Sequence, residues 1–80
     1  MTPAQCRAAR ALIGWTQTHT ASVAGLGVST VADFELDRRA VSVAAVDALQ
    51  VALEKAGVVF IDENGMGAGV RLKAKKARPK

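Results

Sequence analysis

Aromatic residues and cysteine are scarce in this sequence. Its 80 residues include one tryptophan, two phenylalanines, no tyrosine and one cysteine, Cys6. A single cysteine excludes an internal disulfide, as is typical of proteins from reducing compartments. Half of the residues are hydrophobic, and most of these are alanine, valine or leucine. A chain this short supports one small core, with little room for a deep ligand pocket. We therefore expect one domain that is not an enzyme.

Long apolar runs and clusters of metal ligands are also missing. No stretch approaches the roughly 18 apolar residues that span a bilayer, and residues 1–5 lack the pattern of a signal peptide, so a cytoplasmic protein without a membrane partner is expected. His19 is the only histidine, and no serine or cysteine has a base and an acid arranged beside it. The glycines of Gly65-x-Gly67-x-Gly69 precede a predicted strand rather than a helix, which favours a hairpin loop over a nucleotide-binding loop. We expect neither a cofactor nor a metal.

Basic residues are absent from one long stretch and concentrated in another. No lysine or arginine occurs between positions 11 and 37. Residues 1–70 carry five basic and seven acidic side chains, a net charge of −2, whereas residues 71–80 carry six basic side chains and no acid. The predicted globular part is therefore mildly acidic. The last residues, 73–80, are expected to be a disordered basic tail that is solubilising, attracts nucleic acid or captures an acidic partner.

Capping residues and glycines divide the chain into short elements. Thr2 and Pro3 are typical of a helix start, Thr16 and Ser42 can cap two later helices, and a glycine follows three of the four helices. The predicted helices cover residues 4–13, 17–24, 28–36 and 43–56. Residues 58–61 and 69–72 predict a β-hairpin or a strand that pairs with another copy. The domain division is therefore 1–57 for the helices, 58–72 for the hairpin and 73–80 for the tail.

The fourth predicted helix is apolar on two faces. Val46, Leu49 and Leu53 form the stripe expected to face the core, and a second stripe contains Ala44, Ala48 and Val51. Packing against a second subunit in a homodimer would explain the second stripe, and so would an alanine-rich core helix. The sequence leaves both explanations open.

Several motifs together resemble the Xre/Cro family of helix-turn-helix transcription regulators. They are the segment RALIGWTQ at residues 10–17, Gly25, Ser29-Thr30-Val31, Phe34-Glu35 and the ending FIDENG…GVRL at residues 60–72. The helical part of the resemblance covers about residues 4–56, and the ending is similar to the tail of many short bacterial members. The resemblance implies that Arg10 pairs with Glu35 beneath the motif. The expected fold class is mainly α: a four-to-five-helix Xre/Cro-like helix-turn-helix bundle with a short C-terminal β-hairpin and a disordered basic tail.

The positions that read DNA in this family hold unusual residues here. Base edges are read by hydrogen bonds, commonly from polar side chains at the start of the third helix. The matching positions are Gly27, Val28, Ser29, Ala32 and Asp33, followed by Leu36 and Asp37. Because non-specific DNA binding relies on cations, and this face is expected to have none, the sequence predicts an eroded DNA-binding surface.

Three functions are compatible with these observations. The resemblance has a precedent in small antiactivators that restrain quorum-sensing and conjugation activators of mobile elements. It favours an antiactivator that binds a transcriptional activator protein through the apolar and acidic positions Val28, Ala32, Asp33, Leu36 and Asp37. The alternative is a dimeric DNA-binding repressor that uses Gln17, Val28, Ser29, Thr30, Arg38, Arg39, Lys73, Lys75 and Lys76. The third is an antitoxin-like or structural adaptor.

Overall fold

Four helices and a two-stranded hairpin make up the protein in the computed structural model, which describes residues 1–73. The elements are α1 (Pro3–Ile13), α2 (Gln17–Ala24), α3 (Val28–Glu35), α4 (Val43–Lys55), β1 (Val58–Ile61) and β2 (Gly69–Leu72). The prediction of a mainly helical chain with a C-terminal hairpin is confirmed. Among the described residues there are four helices, the lower of the two predicted numbers. The predicted disorder of the tail concerns residues that, apart from Lys73, lie outside this range.

Two helices end one residue earlier than predicted. Leu36 has φ −94° and ψ 0° and is the C-cap of α3, and Asp37 then turns the chain with a positive φ of 54°. At the end of α4, Ala56 is likewise the C-cap rather than a helical residue. Helix propensity alone does not locate such ends, because the turn that follows decides where the helical hydrogen bonds stop.

Helix α1 begins with a capping box formed by Thr2 and Gln5. The backbone N–H of Gln5 donates to Thr2 Oγ1 (3.1 Å), and the backbone N–H of Thr2 donates to Gln5 Oε1 (2.8 Å). The side-chain nitrogen of Gln5, Nε2, also donates to the carbonyl oxygens of Ile61 (3.1 Å) and Gly69 (2.9 Å). One buried glutamine therefore joins the start of α1 to both hairpin strands.

The hydrophobic core lies where the four helices meet the first strand. α2 packs against α3 and α4, and α1 packs against the hairpin and α3. The buried apolar side chains that form the core cluster come from every helix and from β1: Cys6, Ala9, Ala21, Val31, Leu49, Leu53 and Val58. In α4, Leu49 and Leu53 are fully buried and Val46 is half-buried, so the predicted inward stripe is confirmed. Within residues 1–73, no helix combines the length and apolar content needed to cross a membrane.

Helix α2 has few good helix-forming residues and is held by its ends and its buried face. Thr16 Oγ1 accepts the backbone N–H of His19 (3.0 Å), and Gly25 ends the helix at a φ of 72°. Thr20 is fully buried, and its hydroxyl donates to the Thr16 carbonyl (2.8 Å). This bond satisfies the hydroxyl inside a face that is otherwise packed against the core.

The hairpin pairs within the chain in a regular antiparallel register. Val58 lies opposite Leu72 and Ile61 opposite Gly69, which confirms the hairpin over the alternative of a strand paired only with another copy. Val58 is buried at 2% exposure, so the hairpin contributes to the core. In the connecting loop, Glu63 Oε1 accepts the backbone N–H groups of Gly65 (2.8 Å) and Gly67 (2.9 Å).

We expect Gln5→Ala to lower the free energy of unfolding by about 2–3 kcal/mol, because three backbone groups lose their partner in a mostly buried site. Urea unfolding monitored by circular dichroism measures the change. Gln50→Ala is the matched control: the Gln50 amide donates to Glu54 in an exposed pair on α4, so its loss should cost less than about 0.5 kcal/mol. Equal stability of the two variants would contradict the role of Gln5.

Candidate interaction surface on the third helix

Glu35 is the buried anchor that sets the orientation of α3. It is 1% exposed, and its carboxylate accepts bonds from Arg10 Nε (2.6 Å) and Arg10 Nη2 (2.7 Å). The pairing implied by the family resemblance is therefore present. The carboxylate also accepts from Gln17 Nε2 (2.9 Å) and from Cys6 Sγ (3.1 Å). Side chains of α1 and α2 thus converge on one residue of α3.

Two members of this network were not predicted from the sequence. Gln17 is the first residue of α2, so its side chain lies near the connection from α1, but only the packing of α3 brings Glu35 within reach. Cys6 is fully buried, and its thiol donates a hydrogen bond to Glu35. Spacing along the chain does not indicate either contact, because each joins helices that are separate in sequence.

Electrostatics within the network keep Glu35 ionised and Cys6 protonated. Burial by itself would raise the pKa of Glu35, but hydrogen bonds from Arg10, Gln17 and Cys6 outweigh it and hold the pKa below its ordinary value. Burial raises the pKa of the Cys6 thiol to about 12, assisted by its hydrogen bond to Glu35. Cys6 is therefore an inert donor at neutral pH rather than a nucleophile.

The outer face of α3 presents a row of apolar side chains. Val28, Ala32 and Leu36 are spaced four residues apart, so they lie along one side of the helix and its C-cap. Val28 is 46% exposed and Leu36 is 58% exposed, and Ala32 between them is half-buried. We call these three residues the α3 stripe. Large apolar side chains at this exposure bury more surface when a partner covers them.

A charged cluster borders the end of the α3 stripe. Asp33 pairs with Arg38 (3.0 Å) and with Arg39 (2.8 Å). The hydrogen bond from Arg39 lowers the pKa of Asp33, and the charge of Arg38 assists. The expectation that this face has no cation was therefore wrong. The two arginines lie five and six residues beyond Asp33, outside helical spacing, and the left-handed turn at Asp37 redirects the chain that carries them.

The predicted partner-binding residues lie together on α3 and the turn that follows it. Asp33 is half-buried beside its two arginines, and Asp37 is exposed. Since Asp33 and Asp37 offset Arg38 and Arg39, these four side chains carry no net formal charge. The sequence predicted an apolar and acidic surface; its centre is apolar, and at one end Arg38 and Arg39 balance the acidic charges.

The described residues of the alternative DNA-binding set lie on α2, on and just after α3, and after β2. The side-chain amide of Gln17 donates a hydrogen bond to Glu35. Thr30 Oγ1 accepts a hydrogen bond from Arg39 (3.5 Å). Ser29 is exposed near the start of α3. Lys73 follows β2, where its backbone N–H donates to the Gly57 carbonyl (2.6 Å). The remaining predicted cations, Lys75 and Lys76, lie outside the described residues.

Comparisons of the chain with protein-family models and with curated proteins find no match.

We expect Glu35→Gln to lower the free energy of unfolding at pH 7 by about 3 kcal/mol, because the Arg10 guanidinium loses its counter-charge in a largely buried position. The wild type should also lose stability on acidification. A carboxyl group with a lowered folded pKa stabilises the fold above its unfolded pKa, and this stability disappears as the pH falls through the folded value. Since the ordinary value is 4.5, the loss should occur below that pH.

Thermal melts of both proteins between pH 7 and pH 2 measure this effect. The difference in stability between wild type and Glu35→Gln should shrink below pH 4.5. A difference that stays constant across this range would show that the ionised carboxylate is not what holds α3. Glu54→Gln, at an exposed position on α4, is the control for loss of one negative charge.

Proposed function

We propose that this protein is a helix-turn-helix regulator of the Xre/Cro type that works as an antiactivator: it binds a transcriptional activator protein and prevents its action. The exposed α3 stripe carries the proposal. In this reading α2 and α3 are the two helices of the motif, joined by the short turn that contains Gly25. The face of α3 that would contact base edges in a DNA-binding protein instead binds another protein.

The chemistry of the α3 stripe favours a protein partner over DNA. Val28, Ala32 and Leu36 have no hydrogen-bonding side-chain atoms, so they can discriminate bases only through apolar contact. Protein interfaces, in contrast, have apolar centres that exclude water and polar rims. The paired charges of Asp33, Arg38 and Arg39 supply such a rim on one side.

The buried network of Glu35 also supports this proposal. It positions α3 through Arg10, Gln17 and Cys6, whose contacts all lie on the inner side of the helix. None of the three stripe residues takes part in it. A partner surface is therefore presented on a rigid element, which lowers the conformational cost of binding.

Lysine substitutions in the α3 stripe test the proposal. Val28→Lys and Leu36→Lys should each weaken binding to the activator by at least about tenfold, because each places a charge inside an apolar contact. Both positions are exposed, so melting temperatures should stay within a few degrees of wild type. The tagged proteins are used in parallel to isolate regulators from the source cells, and the affinity of each retained activator is measured by calorimetry.

Met66→Lys is the matched control, since Met66 is 90% exposed in the hairpin loop and lies on a different element. Retention of an activator by the wild type and Met66→Lys, with loss by both stripe variants, is the expected result. An activator bound equally by all four proteins would refute the α3 stripe as its binding surface.

A DNA-binding repressor is the second candidate, and Arg38 and Arg39 are the observation that favours it. They place two cations beside the end of α3, where the chain would meet a phosphate backbone in a helix-turn-helix complex. Both, however, form salt bridges with Asp33. We therefore expect DNA affinity to reside mainly in the basic residues after β2.

Electrophoretic shifts with the gene's own upstream DNA test this second candidate. Binding should be weak and indifferent to sequence, and it should fall with salt at a slope of at most about −0.9 per phosphate neutralised. Truncation after Lys73, which keeps the Lys73–Gly57 bond, should nearly abolish it. Sequence-selective, nanomolar binding by the truncated protein, lost in Arg38→Ala, would favour the repressor and overturn the antiactivator.

A further inference from the structure

An apolar groove lies between α2 and α4, away from the α3 stripe. Its volume is about 460 Å³. Its lining consists of small apolar side chains from both helices together with one acidic and one basic residue: Val23, Ala24, Ala44, Asp47, Ala48, Val51, Ala52 and Lys55. None of the residues proposed above to bind an activator lines this groove.

The groove exposes valines that the fold itself leaves partly uncovered. Val23 is 50% exposed and Val51 is 47% exposed. The opposite face of α4 is already used, because Leu49 and Leu53 are fully buried in the core. The second apolar stripe of α4 is therefore not explained by core packing, which was one of the two explanations that the sequence left open.

The charges of the groove are arranged symmetrically about Val51. Asp47 lies four residues before Val51 and Lys55 four residues after it, so each is about 6 Å from it along the helix axis. Both side chains are exposed. Within residues 1–73, neither forms a salt bridge. The groove thus has an acidic end and a basic end at equal distances from an apolar centre.

We propose that this groove is the interface with a second copy of the same chain, in which the two α4 helices pack antiparallel about a two-fold axis at Val51. A two-fold axis makes each contact occur twice, once in each direction. It brings Val51 against its own counterpart and places Asp47 level with Lys55 of the partner subunit. Lys55 then lies level with Asp47 of the partner subunit.

Charge complementarity is what selects a second copy as the occupant. An antiparallel helix with the same spacing of one acid and one base matches both ends of the groove, and α4 has that spacing. A parallel arrangement would bring like charges together, which is destabilising. Ala44 and Ala48, on the same face, have side chains small enough to let two helix backbones approach closely.

The dimer and the proposed antiactivator use different surfaces, so one reciprocal experiment separates them. Val51 and Val28 are nearly equally exposed, at 47% and 46%, and are changed to glutamate in the full-length chain. Sedimentation equilibrium measures dimerisation, and calorimetry measures activator binding. Val51→Glu should raise the dimer dissociation constant about a hundredfold, because its charge would meet its own counterpart at the centre of the interface.

Val28→Glu should leave the dimer dissociation constant unchanged and weaken activator binding. A wild-type chain that remains monomeric up to millimolar concentration would overturn the dimer. So would a dimer that persists in Val51→Glu. Neither result tests whether the α3 stripe binds an activator. That proposal would be contradicted only by the calorimetric measurement of activator binding.

Exchanging the charges of Asp47 and Lys55 tests the antiparallel pairing of the two α4 helices. Asp47→Lys alone and Lys55→Asp alone should each raise the dissociation constant about tenfold, since each places like charges together at both ends of the interface. The double variant with both changes should return it to within about threefold of wild type. A double variant as weak as either single one would overturn this arrangement, provided that circular dichroism shows the three variants to be folded.

Discussion

The buried carboxylate of Glu35 is the interaction on which the rest of the structure depends. Arg10, Gln17 and Cys6 all donate to it, so a single side chain of α3 ties that helix to α1 and α2. A buried negative charge is tolerated only when its hydrogen-bonding capacity is met. Since no buried side-chain nitrogen or oxygen within residues 1–73 lacks a partner, the network satisfies its members, and the position of α3 follows from it.

Helix α3 combines two roles on neighbouring faces. Val31 and Glu35 are buried and belong to the scaffold, whereas Val28 and Leu36 are exposed and free to vary in chemistry without disturbing the core. Because of this separation, a change at the exposed positions of α3 leaves its buried pairings in place. The groove between α2 and α4 lies outside both roles.

Charge distribution along the chain was an incomplete guide to charge on the surface. The sequence shows no basic residue between positions 11 and 37, which predicted that the face around the third helix has no cation. In the folded chain, Asp33 is paired with Arg38 and Arg39, because a left-handed residue at Asp37 redirects the chain after α3. A conformation at one residue thus changed the electrostatic character of the surface. Residue types and net charge did not contain that information.

The sequence by itself determined where the helices and strands form and which of their faces point to the core. This is because caps, glycine turns and hydrophobic periodicity act over a few neighbouring residues. Thr2, Thr16 and Ser42 cap the helices as predicted, Gly14 and Gly25 end two of them in left-handed conformations, and the hairpin forms where β-branched residues predicted strands. Tertiary structure alone decided which distant groups meet: Gln5 with both hairpin strands, and Cys6 and Gln17 with Glu35. These contacts join residues far apart in the chain, and their formation depends on how whole helices pack, which no local pattern encodes.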